Sequence, residues 1–135
     1  MKRLFSALVL ALFLTGLLTA AAPYPNTTIT LIDGLPAAMT IGQKYTVVVN
    51  VVSDQPFLGV QALPSFAYPG KGVVAVQGGD RAGGGSSARL EVTFQAKSST
   101  AKMEGGQAVV YVVVGVRYPG GVVVSQEFPF NIAVP

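Results

Sequence analysis

The segment that most constrains the fold is the C-terminal stretch 107–135, "QAVVYVVVGVRYPGGVVVSQEFPFNIAVP". Two long apolar runs, rich in valine, flank the tripeptide Pro119-Gly120-Gly121. Valine and aromatic residues favour strands, and a short Pro/Gly break between two such runs is typical of a β-hairpin. The chain is therefore predicted to end in two antiparallel strands.

The positions of the apolar residues also predict the length of this hairpin loop. Residues that oppose each other in an antiparallel pair lie on the same face of the sheet, so the even-numbered residues of both runs must face each other's even-numbered residues. A three-residue loop with a glycine in the left-handed conformation satisfies this condition. A two-residue loop would instead pair the even-numbered residues of one strand with the odd-numbered residues of the other. The expected pairs are Tyr118 with Val122, Val116 with Val124, and Val112 with Phe128. Gln126 would then lie on the inward face opposite Val114, which predicts a bulge or a local polar contact there.

Shorter alternating runs precede the hairpin. Strands are expected at 27–32, 43–52 and 88–96, and no helix longer than one turn is expected beyond residue 22. The run 57–68 contains Pro64, which predicts one strand followed by an irregular or edge segment. The core expected from these patterns comprises Tyr45, Val47, Val49, Leu90, Val92, Phe94, Val112, Val114, Phe128 and Phe130.

A glycine-rich stretch, "VQGGDRAGGGSSARLEV" at 76–92, resembles at first sight a phosphate-binding loop. Such a loop needs the N-terminus of a helix and usually a Gly-Lys-Ser/Thr sequence. Neither is present, and the residues that follow have the period of a strand. The stretch is therefore predicted to connect two strands, with Asp80 and Arg81 at a solvated tip and contact of that tip with a partner as the secondary alternative.

The N-terminus has the layout of a secretory signal. Lys2 and Arg3 precede an uncharged run at 4–18, and small residues follow, which favours cleavage after Ala21. The alternative is a retained membrane anchor, because the 19 residues from Leu4 to Ala22 carry no charge and ~20 residues span a bilayer. These patterns divide the chain into a signal segment, 1–21, and one domain, 22–135, that is secreted, periplasmic or at the cell surface.

Charge and composition exclude several classes of function. Without Lys2 and Arg3, the nine basic residues fall to seven against six acidic ones, and these seven are scattered, so nucleic acid is not an expected partner. The sequence has no cysteine and no histidine, which excludes disulfides, zinc fingers and histidine-based triads. No pair of acids suggests a glycosidase, and no D-x-D pattern suggests a calcium loop. We expect no enzyme activity, no catalytic residues, no cofactor and no metal.

Six or seven strands with regular turns and no helices predict an all-β, immunoglobulin-like antiparallel β-sandwich of about seven strands. Two motifs sharpen this: G-x-x-Y-x-V-x-V-x-V from Gly42 to Val51, and G-x-S-x-x-h-x-V-x-F from Gly85 to Phe94, where h is hydrophobic. The sequence resembles the bacterial and archaeal immunoglobulin-like domains of secreted and cell-surface proteins over residues 27–134. That resemblance implies a spacer, adhesion or assembly module and transfers no catalytic residue.

The favoured function is therefore a non-catalytic structural or interaction domain that acts through a protein partner or self-assembly. With even positions of the hairpin inside, Tyr111, Val113 and Val123 are expected to form an outward apolar patch, and segment 22–32 could add a strand to a neighbour's edge. The alternative is a module that binds carbohydrate or another ligand. Its candidate aromatic residues are Tyr24, Phe57, Phe66 and Tyr68. The triplet that begins at Asn26 matches the acceptor sequence for N-glycosylation.

Overall fold

The computed structural model describes residues 24–66 and 72–135. The predicted signal segment 1–21 and Tyr68 lie outside the described residues. The strands are β1 (Thr27–Asp33), β2 (Lys44–Phe57), β3 (Gly59–Phe66), β4 (Val74–Gly78), β5 (Asp80–Ala82), β6 (Gly85–Ala96), β7 (Ala108–Arg117) and β8 (Val123–Ile132). The helical structure described consists of two single 3₁₀ turns, at Glu104–Gly106 and Pro119–Gly121. Within residues 24–66 and 72–135, no helix has the length and apolar character needed to cross a membrane.

The strands form two four-stranded antiparallel sheets that pack face to face. The first sheet has the order β1-β2-β6-β4 and the second has the order β5-β3-β7-β8. The predicted fold class, an all-β immunoglobulin-like sandwich, is confirmed.

The core lies between the sheets and follows the period-two pattern of the sequence. Alternate residues of β2, β6 and β7 point inward, and their side chains are almost completely excluded from solvent. All ten residues predicted for the core belong to it, with Tyr45 and Phe128 half-buried at its margin.

The C-terminal hairpin has the predicted register. Val116 pairs with Val124, Val112 pairs with Phe128, and the N–H of Tyr118 donates to the carbonyl of Val122 at 2.8 Å. Both loop glycines have the left-handed conformation, with φ of 83° at Gly120 and 82° at Gly121. The three-residue loop is confirmed.

The prediction of a bulge or polar contact at Gln126 is wrong. Gln126 pairs with Val114 as expected, but the ladder between β7 and β8 has no register shift, and the Gln126 side chain is exposed. The reason is that β8 is the edge strand of its sheet, so the middle of its inward face is only partly covered by the first sheet. A polar side chain there remains in water and needs no internal partner.

The glycine-rich stretch connects strands, as predicted, but it is not a solvated tip. Asp80 and Arg81 form β5, which pairs with Ala62 and Gln61 of β3. The Asp80 carboxylate accepts the N–H of Arg81 at 2.8 Å and the N–H of Glu91, in β6, at 2.9 Å. The chain thus crosses from the first sheet to the second between β4 and β5, and Asp80 ties the two sheets together on that side.

Pro64 does not interrupt its strand. β3 continues through Pro64 to Phe66 and pairs with β7 along its whole length. Because β5 pairs only with residues 60–62, the far side of β3 is open at Pro64. The edge position predicted for this proline is confirmed, and the irregular segment given as its alternative is not observed up to Phe66.

Buried hydroxyl groups join the two sheets at one end of the sandwich. The Tyr118 hydroxyl, at the end of β7, donates to Ser53 Oγ at 2.7 Å and shares a hydrogen bond with Thr27 Oγ1. Ser53 and Tyr118 are both buried, and Ser53 Oγ also accepts the N–H of Gln55 at 3.2 Å, so the buried hydroxyls are hydrogen-bonded. This cluster fixes the ends of β1 and β2 against β7.

Candidate functional site

The outer face of the second sheet carries the side chains that the core does not use. β7 alternates strictly, so its odd-numbered residues point away from the core. The registers with β3 and β8 arrange these residues in cross-strand rows. The rows are Ser65–Tyr111–Pro129, Leu63–Val113–Glu127, Gln61–Gly115–Ser125 and Gly59–Arg117–Val123.

Two of these rows form an apolar strip, defined here as Leu63, Tyr111, Val113 and Pro129. Leu63 is 41% exposed, Pro129 is exposed, and the two β7 residues are half-buried between their neighbours. Because directly opposed side chains lie within about 5 Å of each other in a sheet, these residues form one continuous apolar surface.

The predicted patch of Tyr111, Val113 and Val123 is therefore only partly correct. Tyr111 and Val113 lie side by side, but Val123 pairs with Arg117 and is separated from Val113 by the row that contains Gly115. Leu63 takes the place expected for Val123. Val60 and Ala62 are buried, so the alternation along β3 places Leu63 outward. The sequence pattern did not indicate this position because Pro64 predicted a break in the strand.

Next to the strip lies a hollow with a volume of about 290 Å³. We call it the glycine hollow. The residues that line it are Gly59, Val60, Gln61, Arg81, Ala82, Gly115, Arg117 and Val123.

The hollow exists because two strand positions lack side chains. A Cβ atom at Gly115 would meet no other atom within 4 Å, so a larger residue there would extend into the open space. A Cβ atom at Gly59 would lie 3.8 Å from Nη2 of Arg117, which places that guanidinium group beside the Gly59 backbone. Glycine is unfavourable inside strands, where it often marks the close approach of a ligand or another backbone.

The electrostatic character of the hollow is positive. Arg81 and Arg117 line it, and no carboxylate does. Within the described ranges, one salt bridge occurs, between Arg89 Nε and Glu91 Oε1 at 3.8 Å, on the outer face of the first sheet. The acidic residues on neighbouring positions of these strands lie outside the hollow. The Asp80 carboxylate accepts two backbone N–H groups, and Glu127 belongs to the cross-strand row of Val113.

The other residues singled out from the sequence do not join this site. Asn26 is exposed, its N–H donates to Asp54 Oδ1 at 2.9 Å, and its glycosylation stays a prediction. Among the candidate aromatic residues within the described part, Tyr24 is 68% exposed, whereas Phe57 is buried against Tyr118 and Phe66 packs edge-to-face on Phe94. The aromatic sugar platform suggested as an alternative is therefore wrong for Phe57 and Phe66, because both belong to the core.

From Thr27 onward, the segment 22–32 that was expected to add a strand to a neighbour forms the edge strand of the molecule's own first sheet. Its residues from Thr27 onward form β1, which pairs with β2 of the same chain from Thr27 opposite Ser53 to Asp33 opposite Val48. β1 is an edge strand that pairs on one side only, so its addition to a neighbour's edge stays a prediction. As for metals, the described residues contain no cluster of three acidic, cysteine or histidine side chains.

No known family model matches the sequence, and no curated protein matches it. Similar solved structures include E. coli α2-macroglobulin, at 15% identity and a TM-score of 0.47, covering 85% of this chain and 7% of that one. The human F-spondin reeler domain has 11% identity and a TM-score of 0.42, covering 77% of this chain and 88% of that one. The Bacillus cereus major pilin subunit BcpA has 13% identity and a TM-score of 0.40, covering 82% of this chain and 40% of that one. At these identities and TM-scores the likenesses carry no information about partners or chemistry.

Proposed function

We propose that the protein is a non-catalytic interaction domain of the cell exterior that binds a protein partner through the outer face of its second sheet. The observation that carries this proposal is the combination, on one face, of a continuous apolar strip and a positively charged hollow. Apolar cores with arginines beside them are typical of protein interfaces, where aromatic residues and arginine are enriched.

Two further points support this reading. The signal-like N-terminus and the absence of cysteine agree with a secreted or surface domain that relies on a large core. The resemblance of the strand motifs to bacterial and archaeal immunoglobulin-like domains implies a spacer, adhesion or assembly role. Phe57 is buried and Phe66 packs on Phe94, so two of the four aromatic candidates of the carbohydrate-binding alternative are used for packing.

Site-specific photo-crosslinking in the producing cells tests the proposal. A benzoylphenylalanine at Val113, in the apolar strip, should give one discrete crosslinked product whose mass identifies a second copy or another protein. The matched control is the same residue at Thr93, which is equally half-buried but lies on the outer face of the first sheet. Equal crosslinking at both positions, or none at either, would refute the proposal.

Light scattering of the purified protein separates self-assembly from binding to another protein. If the partner is a second copy, the molar mass should rise with concentration, and Val113→Lys should suppress the rise. Crosslinking to a different protein combined with a constant monomer mass would assign the strip to a heterologous partner.

A further inference from the structure

The glycine hollow has features that the apolar strip does not explain. An apolar interface needs area, whereas the hollow combines an uncovered glycine backbone with two guanidinium groups. Among the described residues, neither Arg81 nor Arg117 has a side-chain ion pair or hydrogen bond. Each guanidinium group carries five N–H donors that are arranged to match a carboxylate.

The floor of the hollow is suited to a group that approaches the backbone closely. Gly115 leaves the middle of β7 uncovered, and its neighbour in register, Gln61, adds an amide that can donate or accept. Val123, which is 55% exposed, supplies an apolar contact at the edge of this floor. A ligand that fits must have an anionic group and an apolar part next to it.

The chemistry of the lining favours a protein over an acidic polysaccharide. No aromatic residue lines the hollow, and aromatic faces are the usual contact for sugar rings. In contrast, the apolar strip begins in the next cross-strand row, at Leu63 and Val113. An extended peptide with an acidic and an apolar side chain two residues apart, and therefore on the same face, can occupy both surfaces at once.

We infer that the glycine hollow is a carboxylate receptor that binds an acidic side chain of the protein partner, with Arg81 and Arg117 as its ligands. This inference rests on the proposed function, since it specifies the part of the partner that enters the site. Hydrogen bonds between arginine and carboxylate are among the strongest in proteins, so this contact determines which acidic partner binds.

The test uses a short, capped peptide in which Glu and Leu lie two residues apart with Ser between them, its Gln–Leu twin, and polygalacturonate as an acidic carbohydrate. Binding is followed by the NMR shifts of the amides of Gly59, Gln61 and Gly115. The Glu–Leu peptide should cause saturable shifts that weaken with added salt, and the Gln–Leu twin should cause none. Stronger binding of polygalacturonate at the same amides would overturn the assignment to a protein.

Substitutions locate the binding in the hollow. Arg81→Gln and Arg117→Gln should each weaken the peptide about ten-fold or more, because a charged hydrogen bond is lost. Arg89→Gln, on the opposite outer face, is the matched control and should leave the affinity unchanged. Equal loss with Arg89→Gln would show non-specific attraction and overturn the inference.

A steric variant tests the site without altering charge. Gly115→Leu fills open space at a residue without a positive φ, so the protein should melt near the wild-type temperature while peptide binding is lost. Gly78→Leu, at another open position in β4, should retain binding. Retained binding in Gly115→Leu would refute the hollow as the site. If the Val113 crosslink persists while the peptide does not bind, the receptor inference fails and the proposed function stands.

Discussion

The two outer faces of the sandwich are built from the same alternating strands but treat their polar groups differently. On the first sheet, Thr46 and Thr93 share a cross-strand hydrogen bond of 3.1 Å, and Arg89 pairs with Glu91. On the second sheet, Arg81 and Arg117 border an uncovered glycine floor next to an apolar strip. The first face pairs these polar side chains with each other, and the apolar residue Val52 on it is 48% exposed. The second leaves apolar surface and positive charge for another molecule, which is why we assign the function to it.

The largest expected effect tests the assignment of residues to faces. Val112→Asp should prevent folding, because an unpaired charge would enter the space between the sheets at a cost of several kcal/mol. Val113→Asp, one residue further along β7, should remain folded because its side chain points outward. Circular dichroism melting of both variants checks this. A cooperative melt of Val112→Asp at the wild-type temperature would show that the faces are wrongly assigned.

The accuracy of the sequence predictions differs between these regions for physical reasons. The hairpin register was predictable because a period-two pattern on two adjacent strands, joined by a short loop, allows one loop length. The fold class followed from the same periodicity in β2 and β6.

The glycine hollow could not be predicted in this way. It depends on the register between β3 and β7, which are distant in sequence, and on β5, a three-residue strand within a glycine-rich stretch. Glycines carry no alternating pattern, so Arg81 was expected at a solvated tip and its position in the second sheet was missed. The available signal was Gly115, a single glycine inside a run of valines, because a glycine within a strand often marks a close approach to the backbone.

Two tyrosines, Tyr111 and Tyr118, lie on opposite faces of the second sheet and should differ in their contribution to stability. Tyr118→Phe should lower the free energy of unfolding by about 1–3 kcal/mol, because it removes the hydroxyl that bonds to both buried Ser53 and half-buried Thr27. Tyr111→Phe removes the same atom from the outer face, where no hydrogen bond is recorded within the described ranges, and should change stability by less than about 0.5 kcal/mol. Urea unfolding of both variants measures the difference. Equal losses would contradict the separation of the faces.

A smaller effect is expected on the outer face of the first sheet. Arg89 and Glu91 form an ion pair at 3.8 Å, and their side chains are 62% and 54% exposed. Solvent and salt screen such a pair, so Arg89→Gln should change the free energy of unfolding by no more than about 0.5 kcal/mol. Urea unfolding at low and high salt checks this. A loss that exceeds that of Tyr118→Phe would mean that the first face contributes more to stability than its exposure allows.

The smallest effect, none, is expected on removal of divalent metal ions. Calcium and magnesium sites need several oxygen ligands around one point, and the acids of the two outer faces are dispersed. Glu91 is beside Arg89, Glu127 lies in the row of Val113, and the Asp80 carboxylate accepts two backbone N–H groups. EDTA should therefore leave the melting temperature of the protein unchanged, and added calcium should not raise it. A drop in the melting temperature with EDTA that calcium reverses would reveal a metal site and contradict the dispersed arrangement of these acids.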